Sequence, residues 1–268
     1  MSWRVLLLES RWAQVLADLV RRAGWEPVCA PAVAEVPTPA GELAGPLRKL
    51  CAREVDWAVF LTGVGVQRLY DAAQSLGMGE AFVHALRELP AAVRGPKPQT
   101  ALSRWGIRPQ VSCASPYTTA ELCRALDEVD LAGRQVFVQH YGETNHALRA
   151  YLLARGAQVV DAAPYRWALP DPSAPLEQAV RAIAAREVDA LVVTSRPQVV
   201  HLFTVAEAEG LGEAVRDALS GPVVVAAVGP TSRAALEAYG VRVVASPSHP
   251  KMAPLVEALR VYRDAAGE

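Results

Sequence analysis

The sequence predicts an α/β protein made of two homologous halves, each built on a parallel sheet. Three observations predict it. Short apolar runs alternate with helically spaced apolar positions along the chain, the pattern that covers both faces of a parallel sheet with helices. The chain also repeats itself at a period of about 133 residues: Ala52-Arg53-Glu54-Val55-Asp56 recurs as Ala185-Arg186-Glu187-Val188-Asp189. Finally, two proline-bearing stretches, Ala30–Pro39 and Ala163–Pro172, sit at matching places in the halves.

In the first half, Val5–Leu8 has the apolar character of a buried parallel strand. A helix follows on Val15, Leu16, Leu19 and Val20, stopped by Gly24. Val28–Val36 is extended and punctuated by Pro31 and Pro37. Helix Leu43–Arg53 leads to strand Trp57–Leu61, helices Val66–Gln74 and Glu80–Leu86, and strand Ala91–Val93. Helix Thr100–Arg104, strand Gln110–Cys113 and helix Thr119–Asp127 complete the half. The second half reads the same way: strand Val136–Gln139, helix Thr144–Ala154, strand Gln158–Asp161, helix Leu176–Arg186 and strand Ala190–Thr194. Helices Val199–Glu209 and Glu213–Leu219, strand Val223–Val228, helix Thr231–Ala238, strand Val241–Val244 and helix Ala253–Arg263 follow. Further matches support the repeat. Pro31 and Pro37 answer Pro164 and Pro170, and Gly95-Pro96 answers Gly229-Pro230, each with a glycine at one further distance (Gly106, Gly240). Ser115-Pro116 answers Ser246-Pro247, and Leu122 and Leu126 answer Leu255 and Leu259. Proline suits edges and linkers better than central strands, so residues 34–39 and 163–169 are the expected connections. Two connections make one lobe discontinuous: 1–33 plus 170–268 form the first lobe and 40–162 the second, with an interlobe cleft expected.

Composition excludes several classes. With 268 residues, 51% apolar, 21% charged and a net charge of −1, the chain is globular, and nothing suggests a nucleic-acid partner. The first apolar run stops at Glu9, too short for a signal-peptide core, and no stretch approaches a membrane span. A cytoplasmic, membrane-free protein is expected. Cys29, Cys51, Cys113 and Cys123 lack CxxC spacing, which suits buried or half-buried thiols, and the five histidines are scattered, so no metal is expected. Gly63-Val64-Gly65 lacks the third glycine of a dinucleotide loop and does not follow the first strand. There is no P-loop, HExxH or GxSxG motif. No cofactor is expected.

Ligands of open α/β sheets bind beyond the carboxyl ends of the strands. Four such loops stand at matched positions: Thr62-Gly63-Val64-Gly65-Val66, Thr194-Ser195-Arg196-Pro197, Gly95-Pro96-Lys97-Pro98 and Gly229-Pro230-Thr231-Ser232. Hydroxyls and free amides at helix starts suit carboxylates. Taken alone, each hydroxyl is better read as a helix cap; the four together favour a ligand site. Tyr165, in the second proline-bearing stretch, and Tyr141, after strand Val136–Gln139, are phenols that can donate a hydrogen bond or simply pack. Arg166 and Arg196 could pair with carboxylates, though a solvated surface arginine is the commoner case.

These residues resemble the uroporphyrinogen-III synthase family. The resemblance rests on the strand "VDALVVTS", the segment "AAVGPTSRAALEAYGV", the linker "PYRW" and the loop "LTGVGV", and covers nearly the whole chain. It implies flavodoxin-like lobes joined by a two-stranded ladder, with the first βα unit packed into the C-terminal half. It implies a lyase whose substrate is hydroxymethylbilane, a linear tetrapyrrole with eight carboxylates; with two hinges, a monomer is expected. Loss of its terminal hydroxyl as water, attack through the substituted carbon of the last ring, fragmentation and reclosure would invert ring D. Such a catalyst works by positioning and electrostatics. By the same resemblance Tyr165 is the linker tyrosine that assists hydroxyl departure. Thr231 and Ser232 match the hydroxyl pair after Gly229-Pro230. Thr62 with Gly63, Val64 and Gly65, Tyr141, and Thr194 with Ser195 line the substrate site. The first lobe's family threonine is replaced by Pro98, with Thr100 nearby. Two other readings remain: an inactive synthase-like protein and a bilobal binder of small anions.

Overall fold

The computed structural model describes residues 2–266. The chain forms two compact units, one of Met1–Ala34 with Ala168–Glu268 and the other of Glu35–Trp167.

The first unit holds a four-stranded sheet of order β11-β10-β1-β2. Its strands are β1 (Arg4–Leu7), β2 (Glu26–Cys29), β10 (Ala190–Val193) and β11 (Val224–Ala227). All pairings are parallel, with Val5 opposite Ala190 and Ala190 opposite Val224. Helices α1 (Ala13–Arg22), α8 (Ala174–Ala184), α9 (Arg196–Ala208), α10 (Gly212–Ser220), α11 (Pro230–Glu237) and α12 (Met252–Ala266) cover it. Buried on both faces, the strands need apolar residues at every position. Leu6, Leu8, Leu191 and Val193 pack on α8–α10, and Val5, Leu7, Ala190 and Val192 on α1 and α12. Helix α1 ends where the sequence places its stop, with Gly24 at φ +81°.

The second unit holds a five-stranded parallel sheet of order β6-β5-β4-β7-β8. Its strands are β4 (Trp57–Phe60), β5 (Ala91–Val93), β6 (Val111–Ser112), β7 (Gln135–Gln139) and β8 (Gln158–Ala162). Its helices are α2 (Ala40–Cys51), α3 (Gly63–Ser75), α4 (Gly79–Glu88), α5 (Pro96–Ser103), α6 (Thr119–Ala125) and α7 (His146–Ala154). Where the chain passes between units, β3 (Ala34–Pro37) and β9 (Tyr165–Ala168) pair as a two-stranded sheet. Thr38 fastens its edge, its N–H donating to the Pro164 carbonyl (3.1 Å) and its hydroxyl to that of Ala163 (2.6 Å).

The two sheets have one order once repeats are matched, β4 with β10, β5 with β11, β7 with β1 and β8 with β2. The β1-α1-β2 segment therefore pairs with strands of the second repeat, and β7-α7-β8 with those of the first.

One expected strand is not formed. Val241–Val244 runs where β6 runs in the other sheet, but makes a single bridge, Ala226 with Ala245. Val241, Val243 and Ala245 are buried, which explains the strand-like apolar pattern. At Ser246 the side-chain hydroxyl, not the backbone, donates to the Ala227 carbonyl (2.9 Å), and the ladder ends. Cys29 also departs from expectation, since it is exposed. Among the described residues no helix is long and apolar enough to cross a membrane.

Candidate functional site

In the second unit Thr62 closes β4 and caps α3, its Oγ1 accepting from the Gly65 N–H at 3.0 Å. The neighbouring glycines serve close approach. A Cβ on Gly63 would lie 2.7 Å from the Lys97 carbonyl oxygen, and one on Gly65 would overlap the Gln139 amide. Gln139 ends β7, is fully buried, and accepts from the N–H groups of Leu61 (3.1 Å) and Thr62 (3.0 Å) through Oε1. Its Nε2 donates to the His140 carbonyl and lies 3.4 Å from Thr62 Oγ1. Val64, on the helix's first turn, is half-buried.

Tyr165 is 4% exposed, and its Oη lies 3.3 Å from Thr62 Oγ1. The Arg68 guanidinium stands 5.7 Å from its ring centre and pairs with Glu35 at 3.6 Å. Burial raises the phenol pKa above its ordinary value; the Thr62 bond and the charges of Arg94 and Arg68 pull against this, and Glu35 adds to it. The net effect keeps the phenol protonated, as a donor must be.

Tyr141 lies between a cation and an indole. Arg94 sits 4.2 Å from its ring centre, and Trp167 meets it edge-on at 5.7 Å and 66°. Gly142 makes this possible. Its φ is +64°, and a Cβ there would overlap the Trp167 ring. Behind them His140 is fully buried. Its Nδ1 accepts from the Asn145 N–H (3.1 Å), so Nε2 carries the proton donated to Asp161 (2.7 Å), whose other oxygen takes the Arg149 Nε–H (3.1 Å). Asn145 in turn caps α7 through Leu148 (3.1 Å).

In the first unit Ser195 caps α9 in a reciprocal box with Gln198. Gln198 Oε1 accepts from the N–H groups of Thr194 (2.8 Å) and Ser195 (3.2 Å), the task Gln139 performs in the other unit. The Thr194 hydroxyl donates to Glu9, so its proton is used within the protein. Gly229 opens α11. Ser232 is buried and donates to the Gly229 carbonyl (3.1 Å), whereas Thr231 is exposed. Pro98 is buried, and Thr100 is exposed within α5.

Thus Thr62, Gly63, Gly65, Tyr141 and Tyr165 share one end of the five-stranded sheet, while Thr194, Ser195, Gly229, Thr231 and Ser232 share the matching end of the other. Sequence reasoning missed Gln139, Glu9, Gln198, Arg68 and Arg94. For Gln139, Glu9, Gln198 and Arg94 the local signal is a polar or charged residue at or just beyond the end of an apolar strand; Arg68, in the second turn of α3, has none.

Comparison with known proteins follows this geometry. A family model described as HEM4, Uroporphyrinogen-III synthase HemD, matches residues 14–257. An uncharacterized protein of Bacillus subtilis, YjjA, is 32% identical over 259 residues, 97% of this chain and 95% of that protein. A putative uroporphyrinogen-III synthase of Methanothermobacter thermautotrophicus is 27% identical over 220 residues, 80% of this chain and 82% of its own length. A crystal structure of a mutant uroporphyrinogen III synthase of Thermus thermophilus superposes with a TM-score of 0.77 at 28% identity, covering 100% of each chain. A uroporphyrinogen-III synthetase of Helicobacter pylori shares the fold at 14% identity and a TM-score of 0.56, over 97% of this chain and 100% of its own.

Proposed function

We propose that this chain, which belongs to the uroporphyrinogen-III synthase family, closes hydroxymethylbilane into uroporphyrinogen III with inversion of ring D and loss of water, as a cytoplasmic monomer. The observation that carries the reading is the hydroxyl pair Thr62–Tyr165 at the end of the five-stranded sheet, with Arg68 and Arg94 beside it. The substrate is already reactive. It needs a donor for the departing hydroxyl, a place for its carboxylates and a fixed order of ring closure. Tyr165, kept protonated by burial, gives its proton to the leaving oxygen as the carbon–oxygen bond breaks and the oxygen departs as water, and the pyrrole N–H of the same ring returns a proton to the phenolate as the azafulvene forms. Arg94 and the N–H groups in the first turn of α3 receive carboxylates, with the Lys97 N–H at the start of α5, where Pro96 and Pro98 have none, and the Tyr141–Trp167 pair offers a face to a pyrrole ring. In the first unit the exposed Thr231, Ser195 and the Gly229 backbone offer hydroxyls and an amide that suit a carboxylate, while Ser232 and Thr194 shape those loops.

The test is incubation with freshly made hydroxymethylbilane and separation of the product isomers. Type III uroporphyrinogen is expected; type I alone, the uncatalysed product, would sink the reading. A Tyr165→Phe variant should lose about tenfold to a hundredfold in kcat with KM little changed, the loss of one donor to a transition state.

A further inference from the structure

We propose that Gln139 is a positioning residue that turns the Thr62 proton onto Tyr165 and so leaves the Tyr165 proton for the substrate; this rests on the role given to Tyr165 above. The inference is hydrogen-bond accounting. Gln139 Oε1 receives two backbone N–H groups, from Leu61 and Thr62, which fixes which end of the amide is oxygen. Its Nε2 therefore faces Thr62 Oγ1 at 3.4 Å. The Gly65 N–H points at the same oxygen from 3.0 Å. A hydroxyl has two lone pairs and one proton. With both lone pairs receiving donors, Thr62 has only its proton left for Tyr165 Oη, 3.3 Å away. Tyr165 is then the acceptor of that bond, and its own proton points elsewhere. Without Gln139 the Thr62 hydroxyl is free to turn and take the phenol proton, which would spend the donor on the protein.

The discriminating variant is Gln139→Glu. One carboxyl oxygen keeps both backbone N–H groups. While protonated, the other oxygen has one hydrogen where the amide has two, shared between the His140 carbonyl and Thr62 Oγ1; once ionised it only accepts, so Thr62 donates to it and Tyr165 must donate to Thr62. The charged and titratable groups facing the pair are Glu35 from β3, Arg68 from α3 and Arg94 after β5, with His140 and Asp161 behind Gln139. None of them changes in the variant. The expected result is a kcat that is highest at the acid end and falls about tenfold as the introduced carboxyl ionises, with unchanged KM and no such ionisation in the parent. Thr62→Val, close in shape, should lose about tenfold in kcat at all pH values. A second readout needs no turnover. Ultraviolet tyrosinate titration, read as the difference from a protein also carrying Tyr165→Phe, should place the Tyr165 midpoint higher in both variants than in the parent. That titration also serves if Gln139→Glu folds poorly, because Thr62→Val leaves the Gln139 clamp on the backbone intact. Parental pH profiles and parental Tyr165 midpoints in the variants would overturn the proposal. A parent that forms no type III isomer would instead remove the proposed reaction, and the titration would still decide the role of Gln139.

Discussion

Consider Gly65→Ala, a substitution that helix propensity alone would favour. Gly65 lies in the first turn of α3, and alanine in a helix is better than glycine by about 1 kcal/mol. The added Cβ, however, falls within the Gln139 amide. That amide is fully buried and receives the Leu61 and Thr62 N–H groups, so it cannot swing aside without leaving them unpaired. A buried donor without a partner costs about 1–3 kcal/mol. Two such losses less the propensity gain come to about 3 kcal/mol of destabilisation, or a fall of roughly 6–12 °C in the melting of a unit this size. Gly41 is the control. It lies in α2, exposed, with nothing near its would-be Cβ, so Gly41→Ala should be neutral or stabilising by up to about 1 kcal/mol. Differential scanning calorimetry of both variants against the parent measures the contrast. A Gly65→Ala protein that melts at or above the parent would refute the reasoning, because it would mean the Gln139 clamp carries no net stability.

Two further outcomes follow from the same geometry. Arg94→Gln keeps hydrogen-bonding capacity but removes the cation over Tyr141; KM for hydroxymethylbilane should rise about tenfold with kcat little changed if Arg94 holds a carboxylate, which initial-rate kinetics would show. Tyr151 donates to Asp127 (2.8 Å) and receives Arg155 (2.7 Å), and its pKa is pushed up to about 12, by burial first and then by Asp127. A raised folded-state pKa gives stability that is present below the unfolded value of about 10 and lost as pH climbs through the folded one. Urea midpoints of the parent should therefore fall across that alkaline window, and those of Tyr151→Phe should fall less.

How much was legible depends on where the partner of each residue lies. Strands such as Ala190–Val193 announce themselves because burial on both faces demands apolar residues at every position. The same signal misled at Val241–Val244. Apolar patterning reports side-chain burial, and burial there comes without a ladder. Thr62 and Ser195 were open to two readings, cap or ligand residue; both do cap helices, so the ligand role proposed above would be additional to the cap. Thr231 and Ser232 look equivalent in sequence, yet a single helical step exposes one hydroxyl and turns the other onto Gly229. Gln139 could not be read at all, because its partners Leu61 and Thr62 are brought to it only by the β4–β7 pairing.

The repeat period and the folding unit also disagree, and the disagreement is testable. A cut at the repeat boundary, giving residues 1–133, would strand β1-α1-β2 without β10 and leave β4 without β7. The core face formed by Val59, Leu61, Ala92 and Leu122 would lose Val136, Val138, Leu148 and Leu152, its partners from β7 and α7. Val59, Leu61 and Leu122, left exposed, forfeit about 1.5–3 kcal/mol each, together a large share of the roughly 5–15 kcal/mol that holds a domain folded. The segment 35–167 instead keeps the whole five-stranded sheet and both of its cores on one uninterrupted stretch of chain. Expressed alone, 35–167 should unfold cooperatively in urea and show dispersed amide resonances, and 1–133 should do neither. A cooperative transition from 1–133 would mean that the repeat folds on its own pairings, and that the exchange of β1-α1-β2 for β7-α7-β8 contributes nothing to the stability of either unit.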